Sequence, residues 1–166
     1  MVNQQHLAML KLSIEDWNEW RQVHHEILPD LSGADLKGAQ LQRIDLSRAR
    51  LNNADLTEAN LMEAMLNKAD FSDTILNKAN LSNADLNSAI LRAAILSEAD
   101  LRSAILTHAD LTDADLYGAI LRGADLEGAI LNGANFSEAD LSSVDLTKAN
   151  TKGARLLKAF FFRKTQ

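Results

Sequence analysis

Histidine, serine and aspartate are the residue types of this sequence that could support metal binding or nucleophilic catalysis, but their spacing supports neither. His24 and His25 would point about 100° apart on a helix, whereas a helical zinc site uses histidines four residues apart. Ser103, His108 and Asp113 have the residue types of a catalytic triad, but the repeat described below separates them at successive corners. P-loop, GxGxxG and HExxH motifs are absent. We therefore expect no enzyme activity, no metal and no cofactor.

The composition is typical of a single domain that is held together by packing. The chain has 166 residues, 46% hydrophobic content, one proline and no cysteine, so neither disulfides nor cysteine-ligated metals contribute. The apolar runs are far shorter than the roughly 20 residues that span a bilayer. Residues 1–12 lack the apolar block of a signal peptide. We therefore expect a cytoplasmic protein without membrane contact.

The sequence repeats with a period of five residues. Of the 27 positions at this spacing from Leu31 to Phe161, 23 are leucine, three are phenylalanine and one is threonine. Of the 26 positions that lie two residues before the next leucine, 23 are alanine, and the exceptions are Ile44, Thr74 and Val144. The repeating unit is therefore Ala-x-Leu-x-x.

A five-residue period fits neither a helix nor a flat strand. Successive leucines would wind around a helix, and they would alternate between the two faces of a strand. A short extended piece followed by a corner does fit, because alanine and leucine then point inward together. Four quarter turns would close a square coil of about 20 residues, although three-sided coils satisfy the same pattern. The predicted core includes Leu51, Leu56, Leu61, Leu101, Leu106, Ala54 and Ala104.

The repeats carry a resemblance to a known family. Runs such as Ala54-Asp-Leu-Thr-Glu-Ala-Asn-Leu61 and Ala109-Asp-Leu-Thr-Asp-Ala-Asp-Leu116 resemble pentapeptide-repeat proteins, and the segment before the repeats is similar to that of bacterial, especially cyanobacterial, members. The resemblance implies an all-β solenoid, a right-handed quadrilateral parallel β-helix of about 6–7 coils. It also implies that many relatives have no known activity, and that a minority imitate duplex DNA and inhibit topoisomerases.

Residues 1–29 are expected to form an N-terminal α-helical cap. Ser13-Ile-Glu-Asp16 has the form of a capping box, which predicts a helix from about 14 to 27 that Pro29 ends. The helix either covers the first coil or docks to a partner. The predicted apolar stripe is formed by Ile14, Trp17, Val23, Ile27 and Leu28, and the candidate cap residues are Trp17, Trp20 and Ile27.

The C-terminal end of the repeat has an aromatic cluster. The β-helix is expected to occupy residues 30–162, followed by a basic tail at 163–166. Phe161 keeps the inward register, whereas Phe160 and Phe162 would point outward. The three phenylalanines either fold back as an end cap or form a homodimer contact, as C-terminal segments do in pentapeptide-repeat proteins that dimerise.

The outer surface of the repeat is acidic. Residues 30–150 carry 19 acids and 10 bases, a net charge of −9, whereas residues 151–166 carry a net charge of +5. DNA carries about one charge per 1.7 Å, so a rod of about 30 Å would need on the order of 18 negative charges to imitate it. We expect a non-enzymatic interaction module that presents a rigid acidic rod to an unidentified protein partner, with no direct nucleic-acid binding. The alternative is a DNA-mimic inhibitor of a type II topoisomerase such as gyrase.

Two further patterns mark the outer surface. Five isoleucines at outward positions are distributed around the middle coils, which predicts a belt of apolar side chains and not one patch. Glycine occupies four successive corners, at Gly118, Gly123, Gly128 and Gly133. This run predicts a conformational requirement for glycine in that coil.

Overall fold

The computed structural model describes residues 3–161, in which two short helices precede a coil of stacked repeats. The helices are α1 (Gln4–Leu10) and α2 (Ile14–Val23). The predicted helix from 14 to 27 therefore extends beyond the observed end of α2, and α1 was not predicted. Helix α2 ends early because Arg21 Nη1 donates to the carbonyl oxygens of His24 at 3.3 Å and Ile27 at 2.7 Å, which holds residues 24–27 in an irregular turn.

Both helices begin with a side chain that accepts the first unpaired backbone N–H groups. Asn3 Oδ1 accepts from the backbone of Gln5 at 2.9 Å and of His6 at 3.2 Å. Ser13 Oγ accepts from the backbone N–H of Asp16 at 3.0 Å, so the capping residue predicted for α2 is present. Asparagine at position 3 was the sequence signal for α1.

The repeat forms a parallel coil in which bridge partners are 20 residues apart. The bridges run from Asp30 with Arg50 to Asp140 with Phe160, so one coil takes four five-residue units. Three N–H groups of each unit donate to a neighbouring coil, as the Leu101 N–H does to Ile120 O at 2.7 Å, the corner N–H of Ser103 to Arg122 O at 3.0 Å and the outward N–H of Ile120 to Ala99 O at 2.9 Å. Within residues 3–161 the bridges are isolated single residues, and none extends into a longer strand. The corners leave no room for a second ladder residue on each side.

The interior is filled by the inward leucine, phenylalanine and alanine rows. From Leu31 to Leu141 the inward leucine and phenylalanine side chains are at most 6% exposed. Thr74 is an exception to the alanine row that the core tolerates, because its hydroxyl donates to Leu51 O at 2.7 Å. The structure buries the predicted core residues Leu51, Leu56, Leu61, Leu101, Leu106, Ala54 and Ala104 to 1% exposure or less.

The corners use left-handed backbone with or without glycine. Eighteen residues other than glycine have a positive φ at this position, so the φ angle alone does not select the four consecutive glycines. An added Cβ at Gly128 would clash with His108 Nδ1, and one at Gly133 would clash with Asp113 Oδ1. A larger residue at these two corners would therefore displace the His108 and Asp113 side chains of the preceding coil.

The last coil departs from the repeat on one side. No bridge joins Asp125 to Asp145, and the Gly128 N–H donates to Lys148 O at 3.2 Å, one residue beyond the regular register. Lys148 is also outside the set of corner residues with positive φ. Val144 replaces alanine at this place and is only partly buried. The regular coil is therefore opened locally close to its C-terminal end.

Replacing an inward and an outward residue of one coil by asparagine tests the assignment of the two rows. Leu101→Asn should lower the free energy of unfolding by about 3–5 kcal/mol, because it removes a buried leucine and buries an amide without partners. Ile105→Asn should change it by less than about 0.5 kcal/mol, because this position is 44% exposed. Urea unfolding measures both variants. Equal losses for the two would contradict the inward and outward assignment.

Candidate interaction surfaces

The outward residue before each inward leucine has a structural role when it is aspartate or asparagine. Its Oδ1 accepts the backbone N–H of the residue two positions later, as in Asp110, which accepts from the Thr112 N–H at 3.0 Å and from the Thr112 hydroxyl at 2.6 Å. This turn was not predicted from the sequence. The signal was the recurrent spacing of Asp or Asn, Leu and Ser or Thr. The bond is made by residues Asp30, Asp35, Asp45, Asp55, Asn60, Asp70, Asn80, Asp85, Asp100, Asp110, Asp115, Asp125, Asn135, Asp140, Asp145 and Asn150.

Hydrogen bonds in these turns favour the ionised carboxylates. Bonds from the Ser142 hydroxyl and backbone, with the Arg122 charge, lower the pKa of Asp140 despite its partial burial. At Asp110 burial alone would raise the pKa, but the bonds from Thr112 and the Arg92 guanidinium outweigh it and lower the pKa. The turns that contain Asp110 and Asp140 therefore favour the charged state of these two carboxylates.

Much of the outer charge is neutralised within the surface. Lysine or arginine side chains pair with acids of the same or the neighbouring coil, for example Arg43 with Glu63 at 2.6 Å and Arg122 with Asp140 at 2.9 Å. These exposed pairs are each worth about 0–1 kcal/mol, so they matter more for the surface potential than for stability. The pairs on the repeat are Lys37–Asp55, Arg43–Glu63, Arg50–Asp30, Lys78–Glu98, Arg92–Asp110, Arg102–Asp100, Arg122–Asp140, Lys148–Glu127 and Lys158–Glu138.

The outward apolar side chains form a belt around the coil. They lie in all four bridge columns, and bridges often place them beside aspartate, as Ile105 lies between Asp85 and Asp125. No single side of the repeat collects them. The exposed members, each 37–44% accessible, are Met65, Ile90, Ile95, Ile105, Ile120 and Ile130.

The C-terminal end exposes apolar side chains that belong to the last coil. Leu157 is 71% exposed, Phe160 is 54% exposed and Phe161 is 50% exposed. Phe161 follows the bridge residue Phe160 in the register of the inward row, but it is half exposed because no further coil covers it within residues 3–161. Phe162, the third member of the predicted cluster, and the tail at 163–166 lie outside the described residues.

The same end has an open backbone edge. Within the part of the chain that the structure describes, the N–H groups of Thr151 and Leu156 and the carbonyl oxygens of Ala154 and Ala159 have no partner. A cavity of about 350 Å³ opens beside them and is lined by residues that include Val144, Leu146 and Phe161. Apolar surface and unpaired ladder groups therefore coincide. We call this surface, from Val144 to Phe161, the C-terminal end face.

Helix α2 closes the N-terminal edge of the coil with side chains. Trp17 is fully buried and its Nε1 donates to Asp45 O at 2.7 Å. Asn18 both donates to Arg43 O at 3.0 Å and accepts from the Asp45 N–H at 2.9 Å. Arg21, 3% exposed, donates to Ser47 O at 3.2 Å. The sequence analysis missed Asn18 and Arg21, because polar residues were not considered as partners of the first coil.

The other predicted cap residues are less buried than Trp17. Trp20 packs against the core in part, with its ring centroid 5.5 Å from that of Trp17. Ile27 is partly buried after the end of α2. Val23 and Leu28, expected in the apolar stripe, are 71% and 46% exposed, so that part of the prediction is wrong. Val23 is the last residue of α2 and lies away from the coil, whereas Leu28 lies beyond the end of the helix.

The residues with potential chemistry are separated and have local partners. His24 Nδ1 lies 3.0 Å from Trp20 O, whereas His25 is exposed beside Glu26. His108 lies under Gly128, and Asp113 lies under Gly133. Among residues 3–161 no three His, Asp or Glu side chains are grouped to hold a metal ion.

The five-residue repeats decide the family. A model of pentapeptide repeats matches residues 30–67, 54–92, 94–133 and 119–156. The chain belongs to the pentapeptide-repeat family. Members of this family are generally structural repeat proteins and not enzymes. No protein of the curated set matches the chain.

Several solved structures are similar to this pentapeptide-repeat protein. The full-length fluoroquinolone resistance protein QnrB1 has 23% identity and a TM-score of 0.73, over 81% of this chain and 68% of QnrB1. HetL, involved in the regulation of heterocyst differentiation in Nostoc sp. strain PCC 7120, has 34% identity over 81% of this chain and 75% of HetL, with a TM-score of 0.35. Rfr23 from Cyanothece 51142 has 25% identity over 87% of this chain and 97% of Rfr23, with a TM-score of 0.43.

The helices give no means of crossing a membrane. Helix α1 has seven residues and α2 has ten, and no helix of the described residues is long and apolar enough to span a bilayer.

Two substitutions of Asp110 distinguish the stability that comes from its turn hydrogen bonds from the stability that comes from its charge. Asp110→Ala should lower the free energy of unfolding by about 1 kcal/mol or more, because Thr112 loses the acceptor of its N–H and hydroxyl groups. Asp110→Asn retains an acceptor oxygen and should cost less than the alanine variant, although it loses the charge that pairs with Arg92. Thermal and urea unfolding at pH 7 measure both. A larger loss in the asparagine variant would show that charge, and not the turn, dominates.

Proposed function

We propose that this pentapeptide-repeat protein is a non-enzymatic protein-interaction module, a right-handed coil of about 6–7 turns that acts in the cytoplasm. The observation that supports this most directly is the difference between the two ends of the coil. Side chains of α1 and α2 pair with the first coil, whereas the C-terminal end face exposes phenylalanine and leucine beside an open backbone edge. The tightly packed interior offers no cleft for a substrate.

A second copy of the chain is the partner that the C-terminal end face fits best. Its edge alternates N–H donors, as at Thr151, with carbonyl acceptors, as at Ala154. Two identical edges related by a two-fold axis can satisfy one another, because each brings donors opposite the acceptors of the other. The exposed Leu157, Phe160 and Phe161 would be buried in the same contact. The homodimer would double the rod from about 30 Å to about 60 Å.

Light scattering of matched variants tests the homodimer. The full chain should have the mass of a dimer, and Phe160→Glu and Leu157→Glu should each give a monomer, because a charge replaces an apolar contact. Ile105→Glu, which changes an exposed apolar residue far from the end face, should remain dimeric. A full chain that is monomeric at all concentrations would overturn the homodimer. A pull-down that then recovers one partner with the wild type but not with Phe160→Glu would assign the end face to another protein.

Imitation of DNA is the less favoured function because of the charge distribution. The net charge of −9 over residues 30–150 is about half of what a duplex of this length carries. The surface also pairs many of its acids with lysine or arginine, and the paired positions are spread from Asp30 to Lys158. A dimer would lengthen the rod, but it would not raise the density of charge along it. The similarity to QnrB1 concerns the fold alone.

A supercoiling assay distinguishes the two functions. At concentrations up to those that give a full dimer, the wild type should leave the activity of bacterial gyrase unchanged, because the surface is too weakly charged to compete with DNA. The double variant Arg92→Glu and Arg122→Glu is assayed beside the wild type. It lacks two ion pairs and carries more negative charge. Inhibition by the wild type that weakens with salt and is lost when acids are neutralised would favour mimicry instead.

A further inference from the structure

His6 is a buried titratable residue at the contact between α1 and the first coil. It is 9% exposed, and its Nδ1 accepts a hydrogen bond from the backbone N–H of Asp30 at 3.0 Å. Asp30 is the first bridge residue of the repeat, and its carbonyl oxygen accepts from the Asn3 N–H at 3.0 Å. Helix α1 thus satisfies both backbone groups of the residue at which the coil begins.

The bond to Asp30 requires a neutral imidazole. A backbone N–H can donate to Nδ1 only when that nitrogen has a lone pair, which places the ring proton on Nε2. Protonation would set an Nδ1–H group against the Asp30 N–H at about hydrogen-bond distance. Two donors would then face each other in a largely buried site, so the bond would be lost.

The groups around His6 come from α2 and from the first coil. The Asp30 carboxylate lies nearby and also pairs with Arg50, whereas Arg21 of α2 contributes a positive charge. Trp20 of α2 packs against the His6 ring at a centroid distance of 5.4 Å, and His24 stacks on Trp20 at 5.4 Å. Burial outweighs the attraction of the Asp30 carboxylate and lowers the pKa of His6 below its ordinary value of about 6.5.

We propose that His6 makes the closure of the N-terminal edge dependent on pH, so that protonation releases α1 from the first coil. Release exposes the backbone groups of Asp30 to a partner or to water. Helix α2 stays in place, because Trp17 and Asn18 hold it through bonds to the backbone of Arg43 and Asp45 that do not titrate. The step is therefore confined to α1.

The direction of the pH dependence follows from which state binds more protons. The folded cap favours neutral His6, so the released state takes up the proton more readily. Closure is complete above the ordinary histidine pKa of about 6.5, and it is lost as the pH falls through that value towards the lower pKa of the closed state.

Tryptophan fluorescence gives a local signal, because Trp17 and Trp20 are the two tryptophans of the chain and both lie in α2. Titration from pH 8 to pH 4.5 should show a transition with a midpoint below 6.5 in the wild type. His6→Asn can offer an amide oxygen to the Asp30 N–H without titrating, and it should lose this transition. His24→Asn, the matched control that removes the other histidine in contact with Trp20, should retain it. An unchanged transition in His6→Asn, or its loss only in His24→Asn, would overturn the proposal.

Hydrogen exchange of the wild-type chain provides a second measurement that needs no variant. After correction for intrinsic exchange rates, peptides that cover residues 3–12 and the Asp30 amide should lose protection between pH 7.5 and pH 5. Peptides within residues 51–141 should keep their protection over this range. Constant protection of α1, or a loss spread evenly over the coil, would contradict a release that is confined to α1.

Discussion

The structure depends on a left-handed backbone corner at every fifth residue from Gly33 to Lys158, with the exception of Lys148. For residues other than glycine this conformation costs roughly 1–2 kcal/mol, and eighteen of them adopt it. The cost is tolerated because almost every backbone N–H of a unit has an acceptor. In the unit from Asp110 to Ala114 the N–H groups bond in turn to the previous coil, the next coil, the Asp110 carboxylate, the next coil and Leu111 O. A corner residue without the left-handed conformation would break the three bonds to the neighbouring coils at once.

The need of each backbone N–H for an acceptor explains why the surface is acidic. The third N–H of each unit has no backbone acceptor, and a short side chain with an oxygen two residues earlier is the nearest group that can supply one. Aspartate and asparagine are therefore selected by the turn, as at Asp110 and Asn80. Twelve of the 19 acids of residues 30–150 occupy this position, so the turn accounts for most of the acidic residues without reference to a partner. Where isoleucine replaces them, as at Ile105, the side chain supplies no oxygen for that N–H.

The sequence predicted the structure of the middle coils well, but it predicted the structure of the two ends poorly. The period of five and the bridge partners 20 residues apart follow from a pattern that repeats many times, so single exceptions such as Thr74 do little harm. The end of α2 depends on one side chain, Arg21, which bonds to carbonyl groups whose positions the sequence does not reveal. Phe161 has the inward register, but register cannot tell whether a further coil covers it. The two polar contacts of Asn18 were not predicted for the same reason, because they join residues that are 25 and 27 positions apart.

The ends are also where the coil can recognise another molecule. The four sides satisfy their own hydrogen bonds and many of their own charges, so a partner that docks there must displace interactions that already exist. At an end of the coil the ladder of backbone hydrogen bonds stops. Its unpaired N–H and carbonyl groups can then bond to the backbone edge of another molecule. At the N-terminal edge Trp17, Arg21 and His6 supply these bonds from within the chain. The C-terminal end face has no such helix among the described residues, and its exposed Leu157 and Phe160 add an apolar gain to the same contact. In the proposed interaction a second edge therefore takes the place of the next repeat and continues the coil.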